Sequence, residues 1–259
     1  MLKLRSAAPA ILAVLLSGAM SYLSSGINQV WIAAWLAPMP LLLVPPEKFV
    51  GITPEYADSA RAIFSEAARD NQVTIVAGFN LIGLPEWPNM AVVFGTDGQV
   101  VLEYDKQHMI PGLEEGYRRG EAIGVIAGAA AALGVAICKD LDFVPLGREY
   151  AGAGIGLLLV PAWDFVNDGW LHSRMALMRG VEGGYAGDRS ASNGLLTLSD
   201  ARGRILAERS SGDSTEVLLA AMVPIGPGGT CYSRTGDWFA WLCLGTIVGC
   251  FAAGWRNRP

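Results

Sequence analysis

The chain has 259 residues, 52% of them hydrophobic and 17% charged, with a formal net charge of −5 and a mean hydropathy of +0.35. A soluble domain carries about 25% charged residues. This composition excludes a disordered chain, a disulfide-stapled mini-protein and a nucleic-acid binder working through bulk positive charge.

The charge deficit is concentrated at the two ends. No charged residue occurs from Ser6 to Pro46, or from Trp238 to Trp255. The basic start, Lys3 and Arg5, followed by apolar and small residues to Ser25, fits either a membrane span of roughly 20 residues or a signal peptide. Residues 30–44 are apolar again but hold Pro38 and Pro40. They read as a second helix, a re-entrant segment or a buried strand. Residues 238–255 carry Trp at both ends, with Arg256 and Arg258 beyond, the pattern of a span with interfacial anchors. The expected organisation is membrane segments over 1–44, a catalytic-sized domain over 45–236, and a transmembrane helix with a short basic tail over 237–259. Basic residues outside the first and last spans put both termini in the cytoplasm. The middle domain then lies outside if one span precedes it.

Between the ends, apolar runs and helical patterns interleave. Residues 41–44 are an apolar run that stops at Pro45-Pro46-Glu47. A helix is predicted over 56–71, with Ala57, Ala60, Ile63, Phe64, Ala67 and Ala68 on one face. The β-branched run 73–78 reads as a buried strand. Residues 90–94 and 100–104 flank Thr96-Asp97-Gly98, a hairpin signal. Residues 133–137 and 155–160 read as strands, 170–182 as a helix, and 195–198 with 204–207 as a second hairpin. The alternation predicts an α/β domain.

Three residues stand where apolar strands end: Glu47, Lys106 and Cys138. Loops at strand ends are where sheet proteins place chemistry. A cysteine at a sharp strand exit can meet backbone N–H groups that lower its pKa and bind an oxyanion. A carboxylate base and a lysine would complete a site for attack on an acyl carbon. Taken singly, each has a plainer reading: a small buried cysteine, a solvated turn glutamate and a surface lysine. His108 reads as a structural hydrogen-bonding residue, and Arg179 with Glu182 as a helix-surface pair. The four cysteines and two histidines lack metal-ligand spacing, so neither a metal nor another cofactor is expected.

The order Glu47, Lys106, Cys138, each after an apolar strand, resembles the nitrilase (carbon–nitrogen hydrolase) superfamily. Lys106-Gln-His-Met-Ile-Pro-Gly-Leu-Glu114, Ala162-Trp-Asp-Phe and the helix from Trp170 to Glu182 are similar to the bacterial apolipoprotein N-acyltransferases within it. The resemblance implies an α-β-β-α sandwich flanked by transmembrane helices. It implies Cys138 as the nucleophile forming an acyl-thioester, Glu47 as general base and Lys106 as oxyanion stabiliser. Glu114 would hold Lys106, the backbone near Lys139 would share the oxyanion, and Trp163 would line an acyl pocket or pack in the core. The implied donor is a phospholipid and the acceptor a lipoprotein amine, at the bacterial inner membrane, multi-pass, with the catalytic domain facing the periplasm. Two other readings use the same sequence: a membrane-tethered amidase with the same triad, and an inactive remnant that binds lipid or a partner. The chain departs from the family in its short membrane part. Residues 41–44 also run almost directly into Glu47, so the sandwich is expected to be incomplete at its N-terminal edge. Asp188 and Arg189 put charge where a buried strand is expected.

Overall fold

The computed structural model describes residues 42–256 apart from 129, 166 and 213–216, with side chains described to residue 252 in the last helix. The described residues from Leu42 onward belong to one compact unit.

The first half builds one sheet and the helix that covers it. β1 (Leu42–Leu43) and β2 (Val50–Ile52) pair in parallel with successive parts of β3 (Thr74–Leu81). β4 (Trp87–Phe94) and β5 (Val100–Asp105) follow antiparallel, and β6 (Tyr117–Arg118) pairs with the start of β4. The helix α1 (Ala57–Asn71) buries the predicted face except Ile63, which is exposed. Ala60, Phe64, Ala67 and Ala68 pack on Ile75, Ala77, Phe79, Val92 and Phe94. Phe64 stacks on Phe94 with ring centres 5.7 Å apart. The helix stops at Gln72, in the left-handed conformation with φ 53, whose N–H caps the Ala68 and Arg69 carbonyls.

The second half builds the facing sheet, in the order β12-β11-β10-β9-β8-β7. Its strands are β7 (Gly124–Ile126), β8 (Ala132–Val135), β9 (Ile155–Trp163), β10 (Ala186–Ser192), β11 (Leu195–Ser199) and β12 (Ile205–Ser210). β8, β9 and β10 run parallel, and the others are antiparallel. β9 is buried along all but its last residue, which is why it reads as a continuous apolar run rather than an alternating one. Helices α2 (Val144–Gly152) and α3 (Gly169–Gly183) cover the outer face. Leu146, Tyr150 and Ala151 of α2 pack on Leu158, Val160 and Tyr185.

Between the sheets, Val76, Ala91, Val93 and Tyr104 meet Val135, Ile137, Leu157, Leu159 and Ala186. Burying each such aliphatic side chain contributes about 1.5–3 kcal/mol. The layers are therefore helix, sheet, sheet, helix, as the family resemblance implied. The helix α2 escaped the sequence reading because it opens with Val144-Pro145 and holds Gly147, residues that weaken a helical pattern. Pro145 is tolerated in the first turn, where its missing N–H would have no partner.

The expectation of transmembrane helices needs correction. Residues 238–255 are helical, within α5 (Trp238–Arg256), which follows the short α4 (Cys231–Thr235). Yet among the described residues no helix is long and apolar enough to cross a membrane. Multi-pass topology is thus not supported by this helix. The spans expected within 1–41 lie outside the described residues. So do the residues preceding β1, where the incomplete sheet edge was expected.

Candidate active site

Glu47 follows β1 on a loop held by its own backbone. Its N–H donates to the Ala162 carbonyl at 3.2 Å, tying the loop to the end of β9 in the other sheet. The loop lies flat on Gly78. A Cβ there would stand 2.7 Å from the Pro46 oxygen and the Lys48 nitrogen, so only glycine permits the approach. Lys106 leaves β5, and its N–H continues the ladder to Asn89. Cys138 leaves the segment after β8 and opens a 3-10 helix, Cys138–Asp142.

The structure brings the expected charged residues together. Lys106 is fully buried and Glu47 and Glu114 are each 2% exposed. The Lys106 Nζ donates to Glu47 Oε1 at 2.9 Å and to Glu114 Oε2 at 2.9 Å. Asn89 Nδ2 adds donors to Glu47 Oε1 at 2.6 Å and Glu114 Oε1 at 3.1 Å. Lys48 Nζ reaches Glu114 Oε1 at 2.6 Å and lies 4.6 Å from the centre of the Tyr117 ring. Within this cluster Glu47 Oε2 is buried without a hydrogen-bond partner. A buried carboxylate oxygen left unpaired costs free energy, so its position calls for a functional reason.

The charges set the protonation of their neighbours. Burial alone would lower the Lys106 pKa, but Glu47, the Cys138 sulfur and Glu114 outweigh it and raise it. Lys106 is therefore a firm cation. Burial pushes on the Glu114 carboxyl from above, yet Lys106 and Lys48 hold it below the usual range. Burial and the Glu47 charge push the Cys138 thiol up, while Lys106 and Arg189 pull the other way. The resting sulfur is thus a thiol, and its Sγ–H donates to the Trp163 carbonyl at 3.3 Å. It needs a base before it can attack.

Two strained residues mark the site. Lys48 with φ 54 and Cys138 with φ 45 hold left-handed backbone that costs such side chains of order 1–3 kcal/mol each. The strain at Cys138 is supported by Asp140, fully buried two residues on. Its Oδ2 accepts from Tyr104 Oη at 2.7 Å and from the Ile137 N–H at 3.0 Å. Its Oδ1 accepts from the N–H groups of Gln107 and His108. One carboxylate thereby binds the exit of Lys106's strand to the turn that carries the sulfur.

The other expected residues fall as follows. Lys139 turns its Nζ to Asp142 at 3.0 Å. The Trp163 indole is half-exposed, and it is the residue's carbonyl that meets the sulfur. His108 bonds Asp140 at 3.0 Å and stacks on Phe143. Arg179 and Glu182 pair at 3.0 Å. The strand carrying Asp188 and Arg189 forms despite its charges. Arg189 finds Asp164, and burial pushes the Asp188 carboxyl up to about 7.

Asn89, Lys48, Asp140, Asp164 and Arg189 were not singled out as site residues from the sequence. Asn89 left a signal, a poor strand former inside the apolar strand β4. Lys48 and Asp140 stood within two residues of chosen positions. Arg189 left one too, a charge on a strand that reads as buried, but its pairing with Asp164 across 25 positions left none. Among the described residues no group of three or more His, Cys, Asp or Glu could hold a metal ion.

Comparison with known proteins agrees with this architecture. An apolipoprotein N-acyltransferase of Geobacter metallireducens is 26% identical over 197 residues, 66% of this chain and 36% of that protein. The enzyme of the same name from Bradyrhizobium diazoefficiens is 31% identical over 58% of this chain and 32% of its own length. The chain thus spans about a third of these relatives. The omega-amidase NIT2-B of Xenopus laevis is 32% identical over 42% of this chain and 44% of its own. An amidase from Nesterenkonia sp. shares the fold, with a TM-score of 0.59 at 22% identity, covering 78% of this chain and 81% of its own. The carbon–nitrogen hydrolase family profile matches residues 31–224, which take in both sheets and every residue of the cluster, and the chain belongs to that family.

Proposed function

We propose that the chain is a cysteine acyl-transfer enzyme, with Cys138 as nucleophile, Glu47 as general base and Lys106 as oxyanion stabiliser. The observation that carries this is the unpaired Glu47 Oε2 in a buried cluster whose other carboxylate oxygens are engaged. A carboxylate held by Lys106 and Asn89 through one oxygen keeps a free lone pair on the other for the thiol proton. The sulfur attacks the acyl carbon while Glu47 takes its proton. The Lys106 ammonium and the N–H of Lys139 stabilise the oxyanion. The leaving group departs with the proton from Glu47, and a thioester remains on Cys138. An incoming amine then attacks the thioester, yields its proton through Glu47, and regenerates the thiol.

The relatives named apolipoprotein N-acyltransferases favour an acyl chain as the transferred group and a lipoprotein N-terminal amine as acceptor, with phospholipid as donor. Two further features support a lipid setting. The described side chains of α5 are exposed on all sides, with Trp238, Trp241 and Phe251 at 51%, 68% and 77%, and a helix apolar all round needs an apolar environment. The uncharged stretch over 6–46 is of the same character. We assign residues 1–44 and 237–259 to membrane attachment and 45–236 to catalysis, facing the periplasm. A second reading, an amidase using water as acceptor, is favoured by the likeness to omega-amidases and to the Nesterenkonia fold.

The test is to incubate the purified full chain with phospholipid carrying a labelled acyl chain and to map the adduct by mass spectrometry. The expected result is label on Cys138, absent from Cys138→Ala and released by an amine. An adduct formed only from small amides would replace the first reading with the second, and no adduct from either would overturn both.

A further inference from the structure

Beyond the carboxylate cluster, the nucleophile turn is held from the α3 side by His172. Its Nδ1 lies 3.3 Å from Asp142 Oδ1 and its Nε2 3.3 Å from Asp168 Oδ2. Asp142 ends the 3-10 helix that Cys138 begins, and its other oxygen is taken by Lys139 at 3.0 Å. Asp168 holds the loop that leaves Trp163, accepting from the Phe165 N–H at 3.0 Å. The two carboxylates thus belong to the two backbone segments that meet at the sulfur, whose hydrogen bond goes to the Trp163 carbonyl.

A neutral imidazole has one N–H and one lone pair. It can donate to Asp142 or to Asp168, and the other contact then sets a lone pair against a carboxylate oxygen. Only the imidazolium is attracted by both: it donates to Asp142, and its Nε2 faces the Asp168 carboxylate at ion-pair distance. We propose that His172 is a positioning residue that, as imidazolium, clamps the Cys138–Asp142 helix to the 164–168 loop and keeps the thiol in attacking position, and that loss of its proton loosens the Asp168 contact and slows acylation. The inference rests on reading Cys138 as the nucleophile.

The charged groups facing His172 are Asp142 and Lys139 from the 3-10 helix, and Asp168 and Asp164 from the loop. Asp164 is already engaged by Arg189 of β10. The hydrogen bond that the ring donates to Asp142 comes first in holding its ionisation above the ordinary histidine value. Burial opposes it, and the charges of Asp142, Asp168 and Asp164 add to it. The side chain is 22% exposed, so protons reach it from solvent. The sign follows: the clamp is complete below the ordinary histidine range and is lost as pH rises through the raised value.

The chain has only two histidines, so ring-proton NMR of the full chain resolves both, with His172→Gln assigning them. In the Cys138→Ala protein, His172 is expected to titrate above the ordinary value, and lower when Asp168→Asn is added. Titration at or below the ordinary value would overturn the clamp, and this arm does not depend on catalysis. In the acylation assay, the ratio of wild-type to His172→Gln rates is expected to be several-fold at low pH and to fall toward one through the His172 titration. A ratio that stays constant with pH would show a structural role only and overturn the proposal. Absence of any Cys138 adduct in the wild type would instead overturn the reading of the site, with the NMR titration still deciding the clamp.

Discussion

Arg189 and Asp164 close on one another: two guanidinium N–H groups meet the two carboxylate oxygens at 2.9 and 2.5 Å, both side chains are buried, and neither oxygen is left over. The cluster of Glu47, Lys106, Glu114 and Lys48 does not close in this way. Glu114 accepts from two lysines, Asn89 and the Ile110 N–H, while Glu47 keeps one oxygen without a hydrogen-bond partner, and its charge is felt at the Cys138 thiol. Both regions carry the cost of burying charge. The first recovers it through geometry and works as a fastener: Asp164 also lies where a Cβ on Gly194 would fall, so it locks the loop against the β10–β11 turn. The second leaves part of the cost uncompensated, which is expected where an atom is reserved for a reaction.

The sharpest break of that contrast is Glu47→Gln. The amide keeps the shape but cannot take a proton. Acyl-Cys138 formation is expected to fall by about 10²–10⁴-fold, the usual worth of a general base. Stability in urea is expected to fall by less than in an Arg189→Met variant, because Glu114 still pairs the Lys106 ammonium. A large loss of stability with little loss of rate would place Glu47 among the fasteners instead.

Arg189→Met should do the reverse. It leaves the Asp164 carboxylate buried and unpaired, at a cost of about 3–5 kcal/mol by denaturant unfolding. The double variant Arg189→Met with Asp164→Leu is expected to recover most of that loss, because no charge is then stranded. If the double variant is as unstable as the single one, packing rather than charge holds the loop.

Lys48→Met is the mildest probe. Glu114 would keep Lys106, Asn89 and the Ile110 N–H, so a roughly tenfold fall in acylation rate is expected, about 1.4 kcal/mol. Its pH dependence is the finer readout. A carboxyl held below its ordinary value contributes stability above that value and loses it as pH falls through the folded one. Without Lys48 that acid-side loss should begin at a higher pH in a urea-unfolding series. An unchanged acid limb would mean that Lys106 alone holds Glu114.

How much of this was legible beforehand differs between elements. The hairpin around Asp97-Gly98, the helix α1 and the strands β3 and β9 follow from local periodicity and turn chemistry, and they stand where those signals put them. The residues Glu47, Lys106, Glu114 and Cys138 were found through their places at strand ends and the family likeness. Asn89 and Arg189 were not found, because their partners are 42 or 25 positions away, and no local pattern encodes such a distance. The exposed helix α5 shows the opposite limit: its apolar character was plain, but among the described residues no helix is long and apolar enough to cross a membrane.

By itself the amino-acid sequence determined the kinds of element, because side-chain spacing and backbone preference act over a few residues. It also supplied the three residues proposed to react. Only the folded chain decided which oxygen of Glu47 is left unpaired, that Asp140 joins the two strand exits, and that His172 stands between two carboxylates. Those outcomes depend on segments far apart along the chain meeting at hydrogen-bond distance inside a medium that excludes water. There, a few tenths of an ångström separate a satisfied charge from a reactive one.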